Sequence, residues 1–193
     1  MNQMERRKRI YESFGYDIEK ERLAIIEAAG PLSGNILEAG TGKGHFTVVL
    51  ARLGFRLVSF DLSEAQLEMA RASLESQGLA DRVELRQESG ENLSFPDSSF
   101  EVIFSVNTVH HLENPFRVLR ELIRVLKPGG RLIISDFSQE GLAMMAEVHR
   151  MEGSQHQVSP VGLEEVENFL KKAGFSVARS STRFQVILVA HKK

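Results

Sequence analysis

Three glycines stand at alternate positions, Gly40, Gly42 and Gly44, just after Glu38 at the end of a short apolar run. Glycine permits positive φ and lets a ligand approach the backbone closely, so this loop is a candidate ligand site. The spacing separates the nucleotide chemistries. A dinucleotide loop reads G-x-G-x-x-G, and counted from Gly40 its third glycine falls on His45. A phosphate-binding loop needs an earlier glycine where this chain has Leu37, and a hydroxyl residue after Lys43 where it has Gly44. Neither pattern fits. On the loop alone, a tight strand-to-helix turn without a ligand stays open.

Other residues could carry chemistry. His110 and His111 follow an apolar strand-like run, and a histidine near its ordinary pKa serves as a base at neutral pH. The alternative is a pair that only hydrogen-bonds backbone. His149, Glu152 and His156 would share a helical face and could hold a metal, but Gly153-Ser154 breaks that helix first, so no metal is expected. The chain has no cysteine, which excludes disulfides, thiolate metal sites and cysteine nucleophiles.

The elements around these residues alternate. Helical patterns cover Met4–Phe14 and Asp17–Ala29, and Gly30-Pro31 stops the second. Asn35–Glu38 then reads as a strand, Gly44–Leu53 as a helix, and Arg56–Phe60 as a strand ending at Asp61. Ser63 and Gln66 have capping-box spacing at the start of a helix to Gln77. Val83–Arg86 and Phe100–Val106 are strands; Asn114-Pro115 opens a helix through Leu126 with an apolar face at Val118, Leu119, Leu122, Ile123 and Leu126. Lys127–Gly130 reads as a turn into the strand Arg131–Ser135. A last helix, marked by Leu163, Val166, Phe169 and Leu170, closes at Gly174. The strands Ser176–Ser180 and Phe184–Ala190 then lie too close to pair other than as an antiparallel hairpin. The order predicts an α/β fold: a doubly wound, Rossmann-like, seven-stranded sheet, mostly parallel, with an antiparallel C-terminal hairpin. One domain over residues 1–193 is expected, with helices in 1–30 as a candidate lid and 139–160 as a short substrate-side insert.

Glu38-x-Gly-Thr-Gly-x-Gly resembles motif I of class I S-adenosylmethionine-dependent methyltransferases. Asn92–Glu101, Asn107–Leu112 and Val118–Ser135 resemble later segments of that family in its own order, closest to the type 11 group that includes quinone-biosynthesis enzymes. The resemblance implies S-adenosylmethionine as cofactor, with S-adenosylhomocysteine as product. It implies a cofactor site from Glu38, Gly40, Thr41, Gly42, Gly44, Asp61, Leu62, Gln66, Ser89, Gly90 and Asn107. Glu38 would orient the loop and help hold the amino end of the cofactor. Asp61 would accept both ribose hydroxyls, at about 1.5–3 kcal/mol per charged hydrogen bond; a plain helix-entry aspartate is its alternative. Two departures stand out. Ser89 replaces the usual adenine-binding Asp, leaving the Ser89 hydroxyl, the Gly90 backbone or Glu88 for that role, and Gln66 replaces an apolar adenine cover.

Methyl transfer from a sulfonium needs alignment more than acid–base help, since the leaving group is already activated. A hydroxyl or acidic-carbon acceptor would call on His110 or His111. A small-molecule acceptor is the main expectation; an RNA or protein methyltransferase, and a cofactor-binding protein without catalysis, are the alternatives. A net charge of −2 gives no global pull toward nucleic acid or anionic membranes, and the run Arg6–Arg9 reads as a solvated helix face. No apolar run approaches the ~18 residues of a membrane span, and a cytoplasmic location is the default. Tyr11, Phe14 and Tyr16 could cover the cofactor or anchor the core. A compact acceptor is expected, or a partner subunit, a homo-oligomer included, that completes the pocket.

Overall fold

The computed structural model describes residues 3–152 and 161–193. Two helices lead, α1 (Gln3–Phe14) and α2 (Ile18–Ala29), followed by β1 (Ile36–Ala39), α3 (His45–Arg52), β2 (Leu57–Asp61), α4 (Glu64–Glu75), β3 (Val83–Gln87) and β4 (Phe100–Val106). Next come α5 (Pro115–Val125), β5 (Leu126–Phe137), α6 (Gln139–Glu152), α7 (Leu163–Lys172), β6 (Ser176–Ser181) and β7 (Gln185–His191). The seven strands lie in the order β3-β2-β1-β4-β5-β7-β6. β7 runs antiparallel to both neighbours, β5 and β6, and the other pairings are parallel. The expected doubly wound sheet with its C-terminal hairpin is therefore present.

Strand alternation sorts the core onto two faces. Val102 and Phe104 of β4, Ile133 of β5, and Ile187 and Val189 of β7 pack with Ile25 of α2 and with Phe46 and Leu50 of α3. Their neighbours Ile103, Leu132, Ile134 and Leu188 point the other way, onto Leu119 and Leu122 of α5 and Val166 and Leu170 of α7. A smaller cluster joins α1 to α6 through Ile10, Met144, Val148 and Phe184.

Three expectations need correction. The helix expected to reach Leu126 stops at Val125, because Leu126 already pairs with Phe100 as the first residue of β5. Lys127–Gly130 is not a separate turn before the strand. It is an excursion inside β5, since Phe100 pairs with Leu126 while Val102 pairs with Arg131, and Gly129 and Gly130 bond to Lys192. The capping box at α4 is half formed. Ser63 Oγ accepts from the Gln66 N–H, but the Ser63 N–H donates to Asp61 Oδ1 at 3.0 Å instead of to Gln66. Helix α6 runs to Glu152; the Gly153-Ser154 break and His156 lie outside the described residues, among which no group of His, Cys, Asp or Glu could hold a metal ion. Among them, too, no helix is long and apolar enough to cross a membrane.

Arg124 locks the loop before β4 onto α5. Its guanidinium donates to the carbonyls of Leu93 and Phe95 at 3.0 and 2.9 Å and to Asp97 and Glu121 at 2.8 Å. Glu121 in turn accepts from the Leu93 N–H at 2.9 Å. Arg124→Met strands two carbonyls and frees a loop that buries Leu93 and Phe95. The expected loss is about 1–3 kcal/mol in urea denaturation, and a loss below about 0.5 kcal/mol would show that the guanidinium does not hold the loop.

Candidate functional site

All four residues of β1 are buried, so Glu38 carries its carboxyl into the protein interior. Glu38 Oε2 accepts from Thr47 Oγ1 of α3 at 2.6 Å and from Ser59 Oγ of β2 at 2.7 Å. Ser59 Oγ also lies 2.6 Å from Thr41 Oγ1 in the glycine loop. Burial raises the Glu38 pKa to about 7, against the lowering effect of the Thr47 and Ser59 hydroxyls and of Arg22.

The loop is pinned from β2. Gly40 and Thr41 N–H both donate to the Phe60 carbonyl, at 2.9 and 3.0 Å, and the Gly42 N–H donates to Asp61 Oδ2 at 2.8 Å. Two of the three glycines are demanded by packing. A Cβ on Gly40 (φ +88°) would stand 2.5 Å from Thr108 Oγ1, and one on Gly44 (φ +78°) 2.9 Å from Ala70 Cβ. Gly42 differs, because no protein atom comes within 4 Å of its Cβ position. The side of the loop open to a ligand is therefore at Gly42, beside the Asp61 carboxylate. Asp61 serves the helix entry and the loop at once: its two oxygens bond the Ser63 and Gly42 N–H groups. Each oxygen keeps a further lone pair for a hydroxyl.

Of the residues expected on the adenine side, Glu88 is committed elsewhere. Its carboxylate accepts from the Ser94 N–H at 3.2 Å and from the Ser94 hydroxyl. Ser89 Oγ accepts from the Glu91 N–H at 3.4 Å, and Gly90 packs close to Val118 and Phe60, where a Cβ would press on Val118 at 3.2 Å. Leu62 is 69% exposed at the rim, and Gln66 is half-buried. Asn107 follows β4 with φ +53°, and its Oδ1 is buried without a hydrogen-bond partner, the condition of a group awaiting a donor.

The two expected histidines lie with ring centroids 4.0 Å apart but differ in burial. His111 is exposed; His110 is buried, 6% exposed. His110 Nδ1 lies 2.6 Å from Asp136 Oδ1, and the His110 N–H donates to Asp136 Oδ2 at 3.1 Å. Asp136 is the penultimate residue of β5 and also accepts from the Phe137 N–H at 2.8 Å. Asp136 was missed in the sequence, although its place at the end of an apolar parallel strand was a usable signal. Arg22 on α2 was also missed, and it is coupled electrostatically to Glu38. Tyr11, Phe14 and Tyr16 join the α1–α6 cluster, with Tyr16 edge-on to Phe184 at 5.1 Å.

A seven-stranded sheet of this order, with a glycine loop after β1 and an acid ending β2, defines the Rossmann-like α/β class that binds ligands at the carboxyl ends of its strands. Residues 37–134 match the methyltransferase domain family, and the chain belongs to it. A 27-O-demethylrifamycin SV methyltransferase of Amycolatopsis mediterranei is 33% identical over 144 residues, 72% of this chain and 53% of that protein. The ubiquinone/menaquinone biosynthesis C-methyltransferase UbiE of Ectopseudomonas mendocina is 35% identical over 131 residues, 64% of this chain and 50% of that protein. The chain thus spans about half the length of these curated relatives. In fold it resembles a SAM-dependent methyltransferase from Aquifex aeolicus, with TM-score 0.70 and 23% identity over 90% of each chain. The family's cofactor is S-adenosylmethionine.

The raised Glu38 pKa has a signed consequence. The folded protein holds a proton on Glu38 that the unfolded chain releases from about pH 4.5, so this group's contribution to stability falls as pH rises to about 7 and is level above that. In Glu38→Gln that dependence is absent. Urea denaturation at pH 5 and pH 8 should show the variant gaining on the parent at the higher pH; an unchanged difference would mean that Glu38 titrates normally.

Proposed function

We propose that the chain transfers a methyl group from S-adenosylmethionine to a small-molecule acceptor whose reacting hydroxyl or carbon gives up a proton, with His110 as the base. One observation carries this reading: the glycine loop and the Asp61 carboxylate are bonded into a single unit whose open side is at Gly42. The donor, when bound, supplies a methyl group already activated on a sulfonium. The chain's own residues then have three tasks. Asp61 accepts ribose hydroxyls and Asn107 Oδ1 accepts a donor from the ligand. Ser89 and Gly90 line the adenine side, with Leu62 and Gln66 at its rim. Glu38 faces the amino end of the donor and orients the loop through Thr47 and Ser59.

His110 takes the acceptor's proton. Asp136 receives the Nδ1–H and so fixes the ring with Nε2 as its basic nitrogen. The names of the relatives fit this reading, since both an O-methyl and a C-methyl product require loss of a proton. The acceptor side is assigned to α1 and α6. The His110 ring lies 5.8 Å from Phe137, which packs into the cluster of Tyr11, Tyr16 and Met145 between those helices. An apolar, compact acceptor suits such walls.

Titration calorimetry with S-adenosylhomocysteine tests the donor site. Binding is expected, and Asp61→Ala should weaken it about tenfold to a hundredfold; folded protein that takes up no ligand at millimolar concentration rules the donor out. His110→Ala and Asp136→Asn should keep that affinity while kcat falls, for His110→Ala by roughly 10²–10⁴. Full turnover by His110→Ala on a turned-over acceptor would remove the base.

A further inference from the structure

Two buried polar side chains stand near the ends of β5 and β7 and are bonded by no described residue. Ser135 and Gln185 are both 0% exposed, and Ser135 Oγ, Gln185 Oε1 and Gln185 Nε2 lack a hydrogen-bond partner among the described residues. Buried polar groups are normally paired, so such atoms side by side call for an explanation. Register brings the two residues together. Ser135 pairs with Ile187 and Phe137 with Gln185, which makes Ser135 and Gln185 diagonal neighbours on the face that carries Ile133 and Ile187. The Gln185 main chain is engaged: its N–H donates to Thr182 Oγ1 at 3.0 Å, and its carbonyl accepts from the Thr182 N–H at 2.9 Å. Only the carboxamide is left over.

We propose that Ser135 and Gln185 form the polar floor of the acceptor site. They select an acceptor whose neutral polar end both donates and accepts hydrogen bonds, as a cyclic amide or a hydroxyl beside a carbonyl does. The proposal rests on the small-molecule acceptor reading above. Place supports it. Both residues stand toward the carboxyl ends of the parallel strands, where this fold class binds ligands. Phe137, the register partner of Gln185, and Phe184, its chain neighbour, belong to the apolar cluster between α1 and α6 assigned to the acceptor. The Ser135 carbonyl accepts from the Asn107 N–H at 2.8 Å, so the floor adjoins a residue assigned to the donor. Asp136, next in the chain, turns to the opposite face and holds His110. Chemistry sets the ligand class. A carboxamide offers two N–H donors and a carbonyl acceptor, and a serine hydroxyl does both. Neither residue is charged, so an ion brought to them would lose its water and gain no counter-charge from them. The Tyr16 phenol, which the Gln185 amide influences, is pushed by burial up to about 12 and stays neutral as well.

Two flat bicyclic probes test the floor: 2-quinolone, a cyclic amide, and quinoline, which accepts a hydrogen bond but cannot donate one. They are titrated by ligand-observed NMR onto the full chain saturated with S-adenosylhomocysteine. The parent should hold 2-quinolone at least about tenfold tighter than quinoline. Gln185→Met keeps the side chain's length and removes its polar atoms. It should bring that ratio within about twofold and leave the affinities for quinoline and S-adenosylhomocysteine unchanged, while Ser135→Ala should lower the ratio about threefold. Melting of the ligand-free protein gives a second reading. Removing buried groups that have no partner costs nothing, so Gln185→Met should melt at or above the parent temperature. An amide satisfied by a structural water or by the fold itself would instead lower it. Equal affinity of the parent for both probes, a preference that survives in Gln185→Met, or a Gln185→Met melt more than about 3 °C lower each overturns the floor. In those cases binding of S-adenosylhomocysteine leaves the donor reading standing. A parent that does not bind S-adenosylhomocysteine overturns the donor reading and the floor together.

Discussion

A carboxyl group buried at the end of β1 is the constraint on which the site depends. Glu38 is 1% exposed and must satisfy its lone pairs within the protein. Thr47 and Ser59 do so from two different elements, and Ser59 passes the contact on to Thr41. One oxygen therefore ties β1, β2, α3 and the glycine loop to a common point. The loop's other bonds, from Gly40 and Thr41 to Phe60 and from Gly42 to Asp61, can form only once those elements are in register. Three hydroxyl-bearing side chains in an otherwise apolar layer make sense as the local answer to one buried acid.

The two halves of the proposed chemistry meet at Thr108. Its hydroxyl bonds the carbonyls of Val106 and Ala39, and its side chain fills the space left by the missing Cβ of Gly40. Two residues later the chain places His110 against Asp136. The turn after β4 is thus shared, with one side packed on the glycine loop and the other holding the proposed base. The spacing between the glycine loop and His110 is built into a few residues of backbone instead of depending on how far two loops happen to close.

The strands were legible because each is a short apolar run whose alternate residues serve two buried faces, and the glycine spacing was legible because loop geometry is local. Errors arose where the deciding partner was remote. Lys127–Gly130 reads as a turn until Phe100, Val102 and Lys192 supply its register. The Ser63–Gln66 pair reads as a complete capping box until Asp61 takes the Ser63 N–H. His110 and His111 look equivalent in the sequence, and only the end of β5, 26 positions on, tells them apart. Arg22 carries no motif at all. Its electrostatic coupling to Glu38 exists only in the folded chain.

The opposite end of the sheet is fastened quite differently. There the Arg131 guanidinium donates to the carbonyls of Ala29 and Pro31, and Lys192 Nζ donates to those of Ile123 and Leu126 at 2.7 and 2.5 Å. Two cations thus stitch helix ends to the sheet by main-chain acceptors, which any residue type provides. That fastening makes few demands on the sequence of the segments it holds. A substitution in either segment can therefore change its side chain without removing the acceptor that holds it to the sheet.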